Sequence, residues 1–241
     1  MSTERRSTFS RFMSGEKSSA PISETPSQSP GVFWPEHFLA PDIPEAIVWT
    51  FGYNVDSLAG KNMNTVNDHS RDLVNRLERE LDDNRPIVFI AHSLGGIVLK
   101  DAIKKSENVR LRTKMIIFLG TPHRGSGAAA WGQILSTLIT IVGLKPNRQI
   151  FKTLGLDSEI LNRIHADFMN LLAGNRIKIF SLQEGRVLGG INRKVVDNFS
   201  SKLDLPRDME TVESIDANHM QMARFGSKED EGYRVIRDIL R

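Results

Sequence analysis

The chain of 241 residues contains no cysteine, which excludes disulfides, a thiolate nucleophile and cysteine-based zinc sites. A reducing compartment is compatible with that. An excess of one charge is also lacking: 32 Lys and Arg stand against 29 Asp and Glu, a net charge of +3. Basic residues sit beside acidic ones, as in Arg76-Leu77-Glu78-Arg79-Glu80, the pattern of a solvated helix face rather than a basic stripe, so nucleic acid is not an expected partner. Long apolar runs are missing as well. None reaches the roughly 18 to 20 residues that span a bilayer. The longest, Ile134 to Leu144, is interrupted by Ser136, Thr137 and Thr140 and reads as a helix, with peripheral lipid contact as its alternative role. The first thirty residues have no apolar h-region, so no secretory signal is expected. Arg5, Arg6 and Arg11 among serines resemble a mitochondrial transit peptide, but Glu4, Glu16 and Glu24 oppose that reading. The expected location is intracellular and cytoplasmic, with mitochondrial or endoplasmic-reticulum membrane association as alternatives. What is present is an ordinary globular composition, 39% hydrophobic and 25% charged, long enough to bury one sizeable core.

Met1 to Pro30 is rich in Ser, Thr and Pro and holds too little apolar surface to offset its ordering entropy, so a disordered tail is expected over residues 1–30 and one domain over 31–241. Beyond it, short β-prone runs alternate with helical patterns. Glu45 to Phe51, Pro86 to Ala91, Met115 to Leu119 and Ile177 to Leu182 read as buried strands. Ser70 to Leu81 places Leu73, Val74, Leu77 and Leu81 at helical spacing. Further helices fit Ile97 to Lys105, Trp131 to Ile141, Ser158 to Leu172 and Gly232 to Leu240. Strands separated by helices imply an α/β fold, a mainly parallel sheet covered by helices on both faces.

One junction stands out. Ile87-Val88-Phe89-Ile90 leads into Ala91-His92-Ser93-Leu94-Gly95-Gly96, and a helical pattern begins at once. In open α/β sheets the site forms at the carboxyl ends of the strands, where Ser93 falls. A tight strand-to-helix turn lifts the serine Oγ clear of the sheet. Small residues are expected two positions away on either side, and Ala91 and Gly95 stand there, a Gly-x-Ser-x-Gly pattern with its first glycine relaxed to alanine. The N–H of Leu94, at the helix start, is placed to donate to a developing oxyanion. The competing reading is a serine that only caps the helix.

"RPIVFIAHSLGGIVLKDAI", "IIFLGTPHRGSGAAAWG" and "ANHMQMARF", with "FWPEHFLAPDIPEAIVWTFGYNVD" upstream, resemble the lipase-like α/β-hydrolase family of serine esterases typified by the serine active site-containing proteins, fungal members included. The likeness runs from about Phe33 to the C-terminus. It implies the α/β-hydrolase fold, an ester-hydrolysing serine enzyme linked to lipid metabolism, and no cofactor or metal.

A serine near its free pKa needs a hydrogen-bonded base, itself oriented by a carboxylate. In this fold the chain order is serine, acid, histidine. Of six histidines, His219 alone follows every expected strand and precedes the last helix, and its context matches the family's terminal Ala-x-His. A surface loop histidine is the competing reading. His92, beside Ser93, is expected to point to the other side of the turn. Thr121, Pro122 and His123, with Gly125, are expected to shape the pocket floor. His37, His69 and His165 are expected to be structural or exposed. For the acid, Glu184 follows "IKIFSLQ", where the resemblance also places a glutamate, and Asp197 is the alternative if Lys194 to Val196 end a strand. Either carboxylate could instead belong to a solvated loop.

The resemblance implies one more element, an earlier strand ending in a His-Gly-rich loop that supplies a second oxyanion donor. Ahead of Phe33-Trp34 the sequence has only the Ser/Pro-rich stretch and Gly31. Two expectations follow: a truncated or alternatively spliced hydrolase lacking N-terminal strands, or a hydrolase-fold module that binds partners without efficient turnover. Removal of a strand would leave a sheet edge open, to be covered by the Ser/Pro-rich tail or by a partner protein. The expected substrate is a small-molecule or lipid carboxylic ester, and the apolar stretch around Trp131 to Leu144 is a candidate cap over its acyl group.

Overall fold

The computed structural model describes residues 32–53, 65–80, 84–125, 128–141, 158–190 and 192–241. The expected tail over residues 1–30 lies outside them, as do Leu81 and Leu144. The described residues form two compact units, one from Tyr53 to Ala223, the other joining residues up to Gly52 with Arg224–Arg241.

The larger unit is built on four parallel strands, β1 (Ile87–His92), β2 (Thr113–Leu119), β3 (Lys178–Glu184) and β4 (Glu210–Ile215), in the order β1-β2-β3-β4. Parallel strands need crossover connections, and helices supply the first two: α1 (Val66–Glu80) precedes β1, α2 (Leu94–Lys105) and α3 (Glu107–Arg112) join β1 to β2, and α4 (Ala128–Ile141) and α5 (Ser158–Ala173) lie between β2 and β3, whereas no helix is described between β3 and β4. The core is centred on β2, whose Ile116, Ile117, Phe118 and Leu119 are almost completely buried, the continuous apolar run expected of a strand covered on both faces. Helices α1 and α5 pack on α2. The hydroxyl of Ser106 starts α3 by accepting from the Val109 N–H at 3.2 Å.

β4 was not among the expected strands. Its Glu210-Thr211-Val212-Glu213-Ser214-Ile215 carries neither an apolar run nor a regular alternation, and its middle faces solvent, so only its pairing with β3 makes it a strand. The reverse correction applies to Glu45–Phe51. No residue from Ile47 to Tyr53 belongs to a strand, and Ile47 and Trp49 are exposed. Extended, β-branched residues become a strand only where a neighbouring strand pairs with them in a ladder, and the sheet of the described residues consists of β1 to β4 alone.

The smaller unit is held by aromatic residues. Trp34 meets Phe225 edge-on at 5.1 Å and Phe38 meets Tyr233 at 5.5 Å. Tyr233 lies in the helix α6 (Glu231–Leu240) and donates its hydroxyl to Asp42 at 2.7 Å. Lys228 also pairs with Asp42, and these two partners hold that carboxyl below its ordinary pKa.

Candidate active site

Three loops leave the carboxyl ends of β1, β2 and β3, and each begins by extending the sheet ladder one step. Ser93 N–H donates to Leu119 O at 3.0 Å, Gly120 N–H to Leu182 O at 2.9 Å and Gly185 N–H to Ile215 O at 2.7 Å. This staircase of backbone bonds fixes the loops against one another before any side chain is considered.

Ser93 stands where β1 stops and α2 starts, with φ 55° and ψ −130°. For a residue with a Cβ this positive φ costs on the order of 1–3 kcal/mol and persists only where surroundings enforce it. The ladder bond to Leu119 on one side and the helical bond from Gly96 N–H to Ser93 O at 3.1 Å on the other do so. The Ser93 side chain makes no bond back to its helix as a cap. It points instead to His219, whose Nε2 lies 2.9 Å from Ser93 Oγ.

The small residues around Ser93 play different parts from those expected. Ala91 is buried on the sheet. A Cβ at Gly95 would meet nothing within 4 Å, whereas one at Gly96 would overlap the side chain of Thr121. The steric demand thus falls on Gly96, not Gly95, because the loop after β2 lays Thr121 across the first turn of α2. Leu94 opens α2, so its N–H belongs to the helix's first turn, where no carbonyl one turn earlier exists to receive it.

His219 lies after β4, 126 residues from Ser93, and is almost fully buried, as is Glu184. Glu184 ends β3. Its Oε1 accepts from Val196 N–H at 2.8 Å and lies 2.9 Å from His219 Nδ1, while its Oε2 accepts from Val195 N–H at 2.9 Å. A caged carboxylate only accepts, so Nδ1 carries the imidazole hydrogen and Nε2 faces the serine hydroxyl as an acceptor, a tautomer assigned from the network. A hydroxyl, an imidazole and a carboxylate in line is the arrangement that activates serine for acyl transfer. Asp197 is turned elsewhere: it accepts from Phe199 N–H and Ser200 N–H, both at 2.8 Å, and closes its own turn. Lys194 to Val196 form no strand, so the condition for choosing Asp197 is not met.

The loops holding acid and base are tied together. Ala217 O accepts from the N–H groups of Gly185 and Arg186, each at 3.1 Å, and the Arg186 guanidinium grips Asp216 through two bonds of 2.6 and 2.5 Å. Asn218 Oδ1 accepts from Met220 N–H and Gln221 N–H, turning the chain just past the imidazole.

Sequence reasoning missed Gly120, at φ +51°, where a Cβ would lie 3.1 Å from His219 Nδ1 and 2.8 Å from Met222 Sδ. The His219 ring lies flush on this glycine. The signal was available in the Leu119-Gly120-Thr121-Pro122 turn that ends β2. The backbone amides of Val195 and Val196 carry no residue-type signal at all. His92 is a correction: it does not turn away but packs its ring 4.9 Å from that of His219. Pro122 and His123 are buried. His123 stands edge-on to Phe118 at 4.6 Å with both ring nitrogens lacking a partner, and burial first, then the Lys100 charge, pushes its pKa well below the ordinary value. It lies in the interior rather than on a pocket floor. Gly125 lies against Trp131, where a Cβ would sit 2.8 Å from the indole.

Leu94 packs against Ile134 and Leu138 of α4 and against Val195 and Val196, with Ile141 and Leu188 alongside. An uncharged helix thus forms an apolar wall beside the residue that follows Ser93. No helix among the described residues is long and apolar enough to cross a membrane.

The parallel sheet, its crossover helices and the loops at its carboxyl edge make up the α/β-hydrolase fold. The mature form of the lipase BlEst2 from Bacillus licheniformis superposes with a TM-score of 0.54 at 18% identity, over 73% of this chain and 75% of that one. In sequence the chain is similar to Protein SERAC1 from Danio rerio, 29% identical over 164 residues, and to Protein SERAC1 from Bos taurus, 26% identical over 225 residues. Those matches cover 63% and 86% of this chain but only 24% and 33% of the relatives, so the chain spans about a quarter to a third of their length. No family model matches the chain. The resemblance to lipase-like α/β-hydrolases is borne out at the level of fold.

Proposed function

We propose that this protein is a serine hydrolase of esterase or lipase type, acting on carboxylic esters. The observation that carries the reading is the unbroken hydrogen-bonded line from Glu184 through His219 to Ser93, with 2.9 Å at each imidazole nitrogen. Ser93 Oγ attacks the ester carbonyl carbon as His219 Nε2 takes its proton; the oxyanion faces Leu94 N–H. The imidazolium, stabilised by Glu184, then protonates the leaving alcohol. Water, deprotonated by the same nitrogen, releases the acid and restores the serine. Thr121 keeps the start of α2 in place through its fit over Gly96, and Ala91 and His92 end the strand that presents the nucleophile. No step calls for a metal or a cofactor. The apolar wall formed by Leu94, Ile134, Leu138 and Leu188 favours an acyl group that is itself apolar, a lipid ester among the candidates.

A fluorophosphonate probe, which reports an activated serine without requiring the natural substrate, tests the reading. The wild-type chain is expected to label covalently and Ser93→Ala to remain unlabelled while folding normally. A folded wild type that stays unlabelled overturns it, and favours a hydrolase-fold module that binds partners without turnover.

A further inference from the structure

His92 has a use that the Ser93–His219–Glu184 line leaves unassigned. It is the last residue of β1 and stands immediately before Ser93. Its Nε2 lies 2.9 Å from the backbone carbonyl of His219, and the two rings are 4.9 Å apart with 39° between their planes. A carbonyl oxygen only accepts, so His92 Nε2 carries the hydrogen and donates it.

The consequence is geometric. His219 sits on a loop beyond β4, the strand farthest from β1 in the sheet order; Glu184 and the Gly185–Ala217 bonds tie it to β3, and its distance from Ser93 must be set from the β1 side. The last residue of β1 and the residue after it grip the same histidine at two points: Ser93 meets the ring at Nε2, and His92 holds the main chain at the carbonyl. Glu184 and Ser93 hold the ring at its two nitrogens, and neither touches the main chain of His219. The His92 bond adds an anchor on the main chain at the end of β1, and the flat surface of Gly120 with Met222 closes the remaining side. We propose that His92 is a positioning residue, whose N–H to the His219 carbonyl sets the base at bonding distance from Ser93. This rests on the reading of His219 as the base.

Two substitutions separate the hydrogen bond from the space the ring fills. His92→Phe keeps the volume and removes the donor. His92→Gln supplies a side-chain N–H at a comparable reach. With a short-chain nitrophenyl ester, His92→Phe is expected to lower kcat by about 10-fold to 100-fold, the scale set by a misplaced reacting group. KM should stay within about twofold, since no ground-state contact to substrate is lost. The rate of fluorophosphonate labelling should fall in parallel, and His92→Gln should recover most of both. Thermal unfolding of the three proteins should agree within a few degrees. If Phe and Gln variants behave alike, whether both active or both impaired, the hydrogen bond does no positioning and the proposal is overturned. A folded wild type without turnover or labelling would instead remove the functional reading itself, before any variant is compared.

Discussion

Two buried glutamates on neighbouring strands, Glu184 and Glu210, are held in nearly the same way and meet different third partners. Glu184 is the last residue of β3 and Glu210 the first of β4, so they occupy opposite ends of the same pair of strands. Each closes a loop by accepting two backbone N–H groups: Val195 and Val196 for Glu184, Leu203 and Leu205 for Glu210. They differ in the third partner. For Glu184 it is the His219 imidazole, which passes the contact on to a hydroxyl half-open to solvent. For Glu210 it is the hydroxyl of Ser181, itself completely buried, where the chain of contacts stops. A caged carboxylate is therefore a general device for pinning a loop to a parallel sheet. In the proposed mechanism it acquires chemistry only at the carboxyl edge, where loops from other strands bring an imidazole and a serine hydroxyl within reach.

The comparison breaks most decisively at Glu184. Glu184→Gln keeps the size but places an amide where a carboxylate held Nδ1–H, so the imidazole loses its tautomer and its countercharge. A fall in kcat on the order of 10³- to 10⁴-fold is expected, with the folded state retained in circular dichroism. An unchanged kcat would remove Glu184 from the proposed mechanism, and a comparable loss in Asp197→Asn would move the assignment there. Glu210→Gln should do the opposite. Leaving a buried backbone N–H without its acceptor costs about 1–3 kcal/mol, so the melting temperature should fall by several degrees while kcat per folded molecule is unchanged. A large loss of kcat in this variant would show that the two cages are not functionally distinct.

The smallest expected effect concerns Lys100, a buried side chain on which the Glu210 charge acts. Burial pushes the Lys100 pKa down from 10.5 to about 7, with Glu210 acting in the opposite direction. Its ammonium lies 5.6 Å from the centre of the Phe168 ring and 6.0 Å from that of Phe118. The folded pKa is below the unfolded one, so between about pH 7 and pH 10 the unfolded chain holds a proton that the folded chain lacks, and this residue makes stability rise with pH across that window. Lys100→Met should flatten that rise, read as melting temperature against pH. An unaltered slope would mean that Lys100 stays protonated in the folded state.

Much of the framework was legible because it rests on local signals. The apolar runs that became β1, β2 and β3, the helical spacing in α1 and α5, and the abrupt change from strand to helix at Ser93 depend on residues within one or two turns of each other. β4 was invisible for the matching reason: Glu210, Thr211, Glu213 and Ser214 give no periodic pattern, and pairing with β3 alone makes them a strand. Glu45–Phe51 has the right residues but does not join the sheet of the described residues. Around the site, the Small-x-Ser-x-Gly pattern led to Gly95, yet the tight contact is at Gly96, because what presses on α2 is Thr121 from another strand.

The sequence by itself determined which segments can be strands and helices and that a serine stands at a strand's carboxyl end, since backbone preference and apolar spacing are local properties. The tertiary structure alone decided that Glu184 rather than Asp197 meets His219, that His92 turns toward that histidine, and that Gly120 gives its ring room. Those outcomes depend on distances between residues tens to more than a hundred positions apart, and such distances exist only once the parallel ladder has set the strands in register.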